Sequence, residues 1–160
     1  MTGTFCYYSS MEIERKNIIF DIDGTIADMQ HRRHFVENTP ADWPSFKAET
    51  VNDTPNQWVC DIAKRFIAQG DRVVFFSARN ESERDITETQ IKEWMGIDSC
   101  DLFLRKNDDF RTDAVFKTEV ADLFEEHVGK IDMVFDDRNS VVEMWRQRGL
   151  NVIQVADGDF

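Results

Sequence analysis

Short apolar runs alternate with amphipathic stretches along most of the chain. Residues 17–22 (Asn-Ile-Ile-Phe-Asp-Ile), 72–77 (Arg-Val-Val-Phe-Phe-Ser), 101–104 (Asp-Leu-Phe-Leu), 131–136 (Ile-Asp-Met-Val-Phe-Asp) and 151–155 (Asn-Val-Ile-Gln-Val) are too short for helices and rich in branched and aromatic residues, which predicts five strands. Helix signals lie between them. Thr54, Pro55 and Gln57 read as an N-cap, a proline in the first helical position and a capping-box glutamine, with Gly70 closing that helix. Ser82 with Asp85 opens a helix ending near Gly96, Ser140 with Glu143 opens another ending at Gly149, and a further helix covers about 112–127, with Val115, Val120 and Phe124 among its apolar positions. Strands alternating with helices imply the α/β class, a Rossmann-like parallel sheet covered on both faces.

Two stretches break this rhythm. Residues 1–11 lack periodicity and predict a flexible tail, leaving 12–160 as a single domain. Residues 28–53, which hold His31, Arg32, Arg33, His34, Trp43 and Pro44, are too few for a domain and enough for a small helical cap over a site.

Composition narrows the class. The chain has 160 residues, 41% of them hydrophobic, enough to bury about 70% of the unfolded surface. The apolar run Val-Val-Phe-Phe (73–76) falls far short of the ~20 residues of a membrane span, and no charged-then-apolar leader opens the sequence. Cys6, Cys60 and Cys100 are scattered and form no CxxC spacing. They point to a reducing compartment, the cytoplasm, and away from a disulfide framework or zinc knuckle. A net charge of −12 opposes general nucleic-acid binding, which needs Lys and Arg against phosphates, and leaves room for a local basic pocket gripping one phosphate or a strand end.

In open α/β sheets, ligands bind beyond the carboxyl ends of the strands. The first predicted strand runs into Asp21-Ile22-Asp23-Gly24-Thr25, the second ends in Ser77-Ala78-Arg79 and the fourth in Asp136-Asp137-Arg138. Residues two apart on extended backbone point the same way, so Asp21 and Asp23 can face one site, with Gly24 letting the chain turn. Carboxylates converging from separate strand ends make a hard, oxygen-rich nest suited to Mg2+.

Phe-Asp-Ile-Asp-Gly-Thr (20–25) resembles the first motif of haloacid dehalogenase-type phosphatases, and Ser77, Lys117 and Asp136-Asp137 fall where the later motifs of that family stand. A lone DxD would be an ordinary turn; here four motifs agree in order. The resemblance implies a haloacid dehalogenase-like fold. It also implies Asp21 as a nucleophile that forms an aspartyl-phosphate, and Asp23 as general acid and then base. Mg2+ would be held by Asp21, the Asp23 carbonyl and a carboxylate from Asp136 or Asp137, while Thr25, Ser77 and Lys117 hold phosphate oxygens.

Residues 136–149 (Asp-Asp-Arg-Asn-Ser-Val-Val-Glu-Met-Trp-Arg-Gln-Arg-Gly) and 154–160 (Gln-Val-Ala-Asp-Gly-Asp-Phe) are similar to the C-terminal 3′-phosphatase domain of phage-type polynucleotide kinase-phosphatases. That resemblance implies site roles for Arg32, Arg79 and Asp113, with Asp137 the metal ligand of the fourth strand and Asp136 its neighbour. Plainer readings stand beside these: Arg32 on a solvated helix face, Arg79 paired with Glu83, Asp113 and Lys117 as an i,i+4 ion pair, Glu143 as a capping residue, and the four tryptophans as packing, with Trp43 able to stack on a base. His31 and His34 have helical spacing but no third ligand for a metal. No GxxxxGK[ST] P-loop occurs in the sequence, so no kinase domain is expected. The implied function is a Mg2+-dependent phosphatase removing 3′-terminal phosphate from DNA or RNA ends or 3′-nucleotides, in nucleic-acid end repair. The alternatives are a mononucleotide phosphatase acting on 5′- or 3′-monophosphates and a non-catalytic phosphate-binding module. Retention of both Asp21 and Asp23 speaks against the module.

Overall fold

The computed structural model describes residues 14–37 and 39–158; residues 1–11, expected to form a tail, lie outside the described residues. The chain runs β1 (Asn17–Phe20), β2 (Ala27–Asp28), α1 (Gln30–Glu37), α2 (Trp43–Ala48), a 3-10 turn (Glu49–Asn52), β3 (Thr54–Pro55), α3 (Gln57–Ala68), β4 (Arg72–Asn80), a 3-10 turn (Glu81–Glu83), α4 (Arg84–Met95), β5 (Asp101–Arg105), α5 (Asp113–His127), β6 (Met133–Arg138), α6 (Asn139–Gln147) and β7 (Val152–Gly158). The five apolar runs all become strands of one sheet, ordered β5-β4-β1-β6-β7 and parallel throughout.

Successive residues of each central run are buried on opposite faces. Ile18, Phe20, Val73 and Phe75 pack on one face, and Ile19, Val74 and Phe76 on the other. Burial on both sides is the reason these strands read as unbroken apolar runs instead of alternating ones. α3 and α4 cover the first face through Val59, Cys60, Ala63, Ile91 and Met95, and α5 and α6 cover the second through Phe116, Val120, Phe124, Val141 and Trp145. Phe20 stacks on Phe135 with 4.4 Å between ring centroids, which ties β1 to β6 and contributes about 0.5–1.5 kcal/mol beyond the area buried.

Several element boundaries differ from the sequence expectation, each for a tertiary reason. β1 stops at Phe20, and the chain folds at once into a tight loop in which Ala27 N–H donates to Ile22 O at 2.8 Å and Gly24 N–H to Ala27 O at 2.9 Å. Thr54 and Pro55 do not open a helix: they form β3, antiparallel to β2, and α3 begins after Asn56. Pairing across the base of the insert outweighs the local capping pattern, and Pro55 is tolerated because a short edge strand needs no ladder donor from it. The capping box expected at Ser82 lies two residues earlier, where Asn80 N–H donates to Glu83 Oε2 at 3.0 Å. α6 leaves β6 directly at Asn139, and Glu143 caps nothing; it accepts from Gln147 at 3.1 Å on the exposed face. The inserted segment folds as α1, α2 and the Glu49–Asn52 turn, pinned at its base by the β2–β3 pair. Among the described residues no helix is long and apolar enough to cross a membrane.

From β1 the chain moves outward through β4 and β5, then returns to place β6 and β7 on the other side of β1. Strand order therefore reverses between β1 and β6, and the loops leaving their carboxyl ends diverge, opening a crevice at that point.

Candidate active site

A cleft of about 890 Å³ opens there, with Asp21, Asp23, Ser77, Lys117, Asp136 and Asp137 in its wall. Asp21 follows the last residue of β1, and its N–H still donates to Phe135 O at 2.9 Å, which fixes its backbone against β6. The two strands that carry the remaining groups lose register where those groups stand: β4 between Ser77 and Asn80, and β6 between Asp136 and Arg138. Such irregularities re-aim side chains at sheet ends. Gly24 holds φ at 84°, and a Cβ there would lie 2.1 Å from Asp137 Oδ2. Only a glycine lets the Asp21 loop lie this close to the β6 carboxylate.

Asp21, Asp136 and Asp137 each offer an oxygen within 4.8 Å of the others, and all three are buried. Lys117, projecting from α5, donates to Asp21 Oδ1 at 2.6 Å and to Asp136 Oδ2 at 2.7 Å. Asp136 also accepts from the Trp145 indole N–H at 3.2 Å and from Arg138 N–H at 3.3 Å. Burial pushes Asp21 well above the ordinary carboxylate range; Lys117 pulls it down, and Asp136 and Asp137 push it further up. Burial, with Asp136 beside it, raises Asp137 to about 6. Burial disfavours the Lys117 ammonium, but Asp136 and Asp21 outweigh that and raise it. Three carboxylates against one ammonium leave two negative charges, the complement of one divalent cation, and the all-oxygen donor set is that of a hard ion. These residues fit Mg2+.

Asp23 faces a separate, arginine-lined side of the cleft. Arg32 Nη2 donates to Asp23 Oδ1 at 2.6 Å, and Arg79 Nη2 to the same oxygen at 2.7 Å. Burial alone would raise Asp23; Arg79 and Arg32 outweigh it and hold it at about 2. Arg79 also bonds Thr87 at 3.2 Å and Gln90 at 3.0 Å on α4, so the simple pair with Glu83 does not form. Arg32 is 0% exposed and lies 4.1 Å from the Phe46 ring centroid, which overturns the solvated-face reading. The i,i+4 pair of Asp113 and Lys117 is absent too. Asp113 accepts instead from Arg105 and Arg138, both at 2.5 Å, joining the ends of β5 and β6 at the cleft wall. Ser77 is buried and its Oγ accepts from Arg79 N–H at 3.2 Å. Thr25 stands apart from the cleft lining, fully buried, its hydroxyl without a hydrogen-bond partner among the described residues. Among the described residues His31 and His34 join no metal-binding group; His31 Nε2 lies 3.2 Å from Glu49 O, and His34 packs on Phe35.

Sequence reasoning missed Asp53, Trp145 as a donor, and Gln90. Asp53 is the largest omission, accepting from Arg32 Nε and Nη2 at 2.7 Å and from Arg79 Nη2 at 2.6 Å. No local spacing marks it, because its partners come from α1 and β4.

The family model for the polynucleotide kinase PNKP phosphatase domain matches residues 15–160. The chain belongs to this family. As a PNKP-type phosphatase domain of the haloacid dehalogenase class, it is 27% identical over 130 residues to a protein of Autographa californica nuclear polyhedrosis virus that carries the name bifunctional polynucleotide kinase/RNA ligase, covering 81% of this chain and 17% of that protein. It superposes on a chain in the structure of the Pnkp1/Rnl/Hen1 RNA repair complex with a TM-score of 0.71 and 29% identity, over 99% of this chain and 48% of that one. The PNKP-type domain thus spans less than half the length of these two relatives. A class C acid phosphatase from Bacillus anthracis shares the fold, with a TM-score of 0.65 and 17% identity over 93% of this chain and 70% of that one.

Proposed function

We propose that this phosphatase domain removes 3′-terminal phosphate from nucleic-acid ends or 3′-nucleotides through an aspartyl-phosphate, with Mg2+ as cofactor. The observation that carries the reading is the Asp21–Asp136–Asp137 group on the cleft wall with Lys117 inside it. Asp21 attacks phosphorus as the ester P–O bond breaks; Asp23, ionised between Arg32 and Arg79 in the free site, takes up the proton that the ester brings in as its monoanion and gives it to the departing sugar oxygen. In the second half, water loses a proton to Asp23 as it attacks phosphorus, and Asp21 is released with inorganic phosphate. Bound Mg2+, held by Asp21, the Asp23 carbonyl and Asp137, would neutralise charge between the anionic nucleophile and the anionic ester. Asp137 suits that role better than Asp136, whose carboxylate already accepts from Lys117, Trp145 and the Arg138 backbone. Ser77 and Lys117 hold the transferring oxygens. Arg79, which lines the cleft, stays forked on Asp23 through Nε and Nη2 and presents its positive charge to the incoming phosphate. Arg32 supports Asp23 from behind, Asp113 fixes Arg105 and Arg138, and Thr25 braces the loop carrying the nucleophile.

Residues 28–53 act as the cap of the site. Its α2 contributes Trp43, Phe46 and Lys47 to the cleft, and Arg105 and Arg138 line it from the sheet side. Aromatic rings beside cations suit a base and a backbone phosphate next to the scissile one, and the relation to a chain of an RNA repair complex supports a nucleic-acid end as substrate. The test is hydrolysis of a 3′-phosphorylated oligonucleotide against 5′-mononucleotides, with Mg2+ present. Faster release from the oligonucleotide is expected; a wide preference for 5′-monophosphates would instead establish a mononucleotide phosphatase, and no release from any monoester a phosphate-binding module.

A further inference from the structure

Four charged side chains close a ring that runs from the cleft wall, through Asp23 and Arg79, to the buried Arg32 and Asp53 behind it. Asp23 Oδ1 accepts from Nη2 of both Arg32 and Arg79, and Asp53 Oδ2 accepts from the same two nitrogens at 2.7 and 2.6 Å. Asp53 Oδ1 also accepts from Arg32 Nε at 2.7 Å, completing a two-pronged grip on that guanidinium. The Asp53 side chain is 0% exposed, that of Arg32 0% and that of Arg79 2%. The ring draws on three parts of the chain: Arg32 and Asp53 from the insert and its end, Arg79 from β4, and Asp23 from the loop after β1. Gln90 braces it, accepting from Arg79 and donating to Thr50 O at 2.7 Å.

Desolvating four charges costs free energy that an apolar junction between insert and sheet would not. With Asp23 as its one carboxylate partner, bonded through a single nitrogen, Arg32 would also be free to swing around it. Asp53 removes that freedom, because it forks onto Arg32 Nε and Nη2, ties the Nη2 of Arg79 to the same oxygen, and balances the second positive charge. Paired forks of this kind fix geometry as well as energy, and a proton donor must sit within about half an ångström of its productive place.

We infer that Asp53 is a positioning residue for proton delivery, setting the place of the Asp23 carboxyl through Arg32 and Arg79. This rests on the reading of Asp23 as the general acid, and the experiment separates the two. The leaving group supplies the readout. A sugar oxygen needs a proton as it departs, whereas p-nitrophenolate departs readily without one. Rates for wild type, Asp53→Asn and Asp23→Asn are compared on p-nitrophenyl phosphate and on a 3′-phosphorylated oligonucleotide, or on whichever nucleoside monophosphate the wild type hydrolyses. General acids contribute about 10²–10⁴-fold, so Asp53→Asn is expected to lower kcat on the nucleotide ester at least about 10-fold more than on the aryl ester. An equal fall on both substrates makes Asp53 a structural residue only and overturns the inference, as does an unchanged rate on both. Should Asp53→Asn fail to fold, Asp53→Glu keeps the buried charge but moves the carboxylate by one methylene, and the same selective loss is expected. If Asp23→Asn itself shows no dependence on the leaving group, the general-acid reading falls; if it does and the Asp53 variants do not, only the role given to Asp53 falls.

Discussion

Asp21 lies 2.6 Å from an ammonium and is still pushed above the ordinary carboxylate range, because burial and two further carboxylates outweigh Lys117. A group so placed is costly to keep for stability alone. Asp21→Asn preserves shape and hydrogen bonding but removes the nucleophile, so turnover should fall by about 10³-fold or more while the circular dichroism spectrum stays that of the wild type; full activity would remove the covalent route. Lys117→Met strands the Asp21–Asp136 pair without its cation. Leaving a buried charge uncompensated costs about 3–5 kcal/mol, to be read from urea denaturation, and Mg2+ should recover part of it. Legibility at this scale tracks sequence locality. Asp21, Asp23, Ser77 and the Asp136–Asp137 pair were visible because strand ends in an α/β sheet converge. Asp53 and Gln90 were not, since each earns its partner through the way the insert and α4 meet the sheet. Trp145 packs in the core as a tryptophan in that stretch is expected to, but nothing in its spacing announces the indole bond to Asp136.

Among elements, the strands and the helix over about 112–127 were legible, while the start of α3 was not. The central apolar runs can be satisfied only by burial on both faces, whereas a capping pattern is worth about 1 kcal/mol and yields to tertiary pairing, as it does at Thr54 and Pro55. The insert is visible as a gap in periodicity and its helical content is as expected, while the β2–β3 pair at its base is not marked in the sequence. The loop after β1 makes the sharpest element-level demand. In Gly24→Ala the new Cβ would fall 2.1 Å from Asp137 Oδ2 at a φ of 84°, so the carboxylate must turn away. Disturbing the surroundings of a ligand costs about 10–100-fold in metal affinity. The Mg2+ concentration giving half-maximal activity should rise by that order, with kcat at saturating metal less affected; an unchanged Mg2+ dependence would place the metal elsewhere.

For the whole molecule, the acidic site couples metal, protons and stability. In the metal-free protein, burial holds Asp137 at about 6 and Asp21 raised as well. A carboxyl whose folded value is raised takes up protons more readily folded than unfolded, so it favours folding at low pH and this contribution is lost as pH climbs through its folded value. Mg2+ binding must expel those protons. The gain in Tm from a fixed Mg2+ concentration should therefore be larger near about pH 7.5 than near about pH 5, where protons compete for the same oxygens. Chelation should abolish hydrolysis and remove this gain together. Equal gains at both pH values would show the metal bound away from these carboxylates.

The insert also bears on how this fold can be rebuilt. Because Arg32 and Asp53 belong to the segment between β1 and α3 while their partners belong to the sheet, that segment is not a detachable lid. A chimaera that exchanged it for the corresponding stretch of another phosphatase would have to bring a matching guanidinium and carboxylate, or leave Arg79 and Asp23 to find each other unaided.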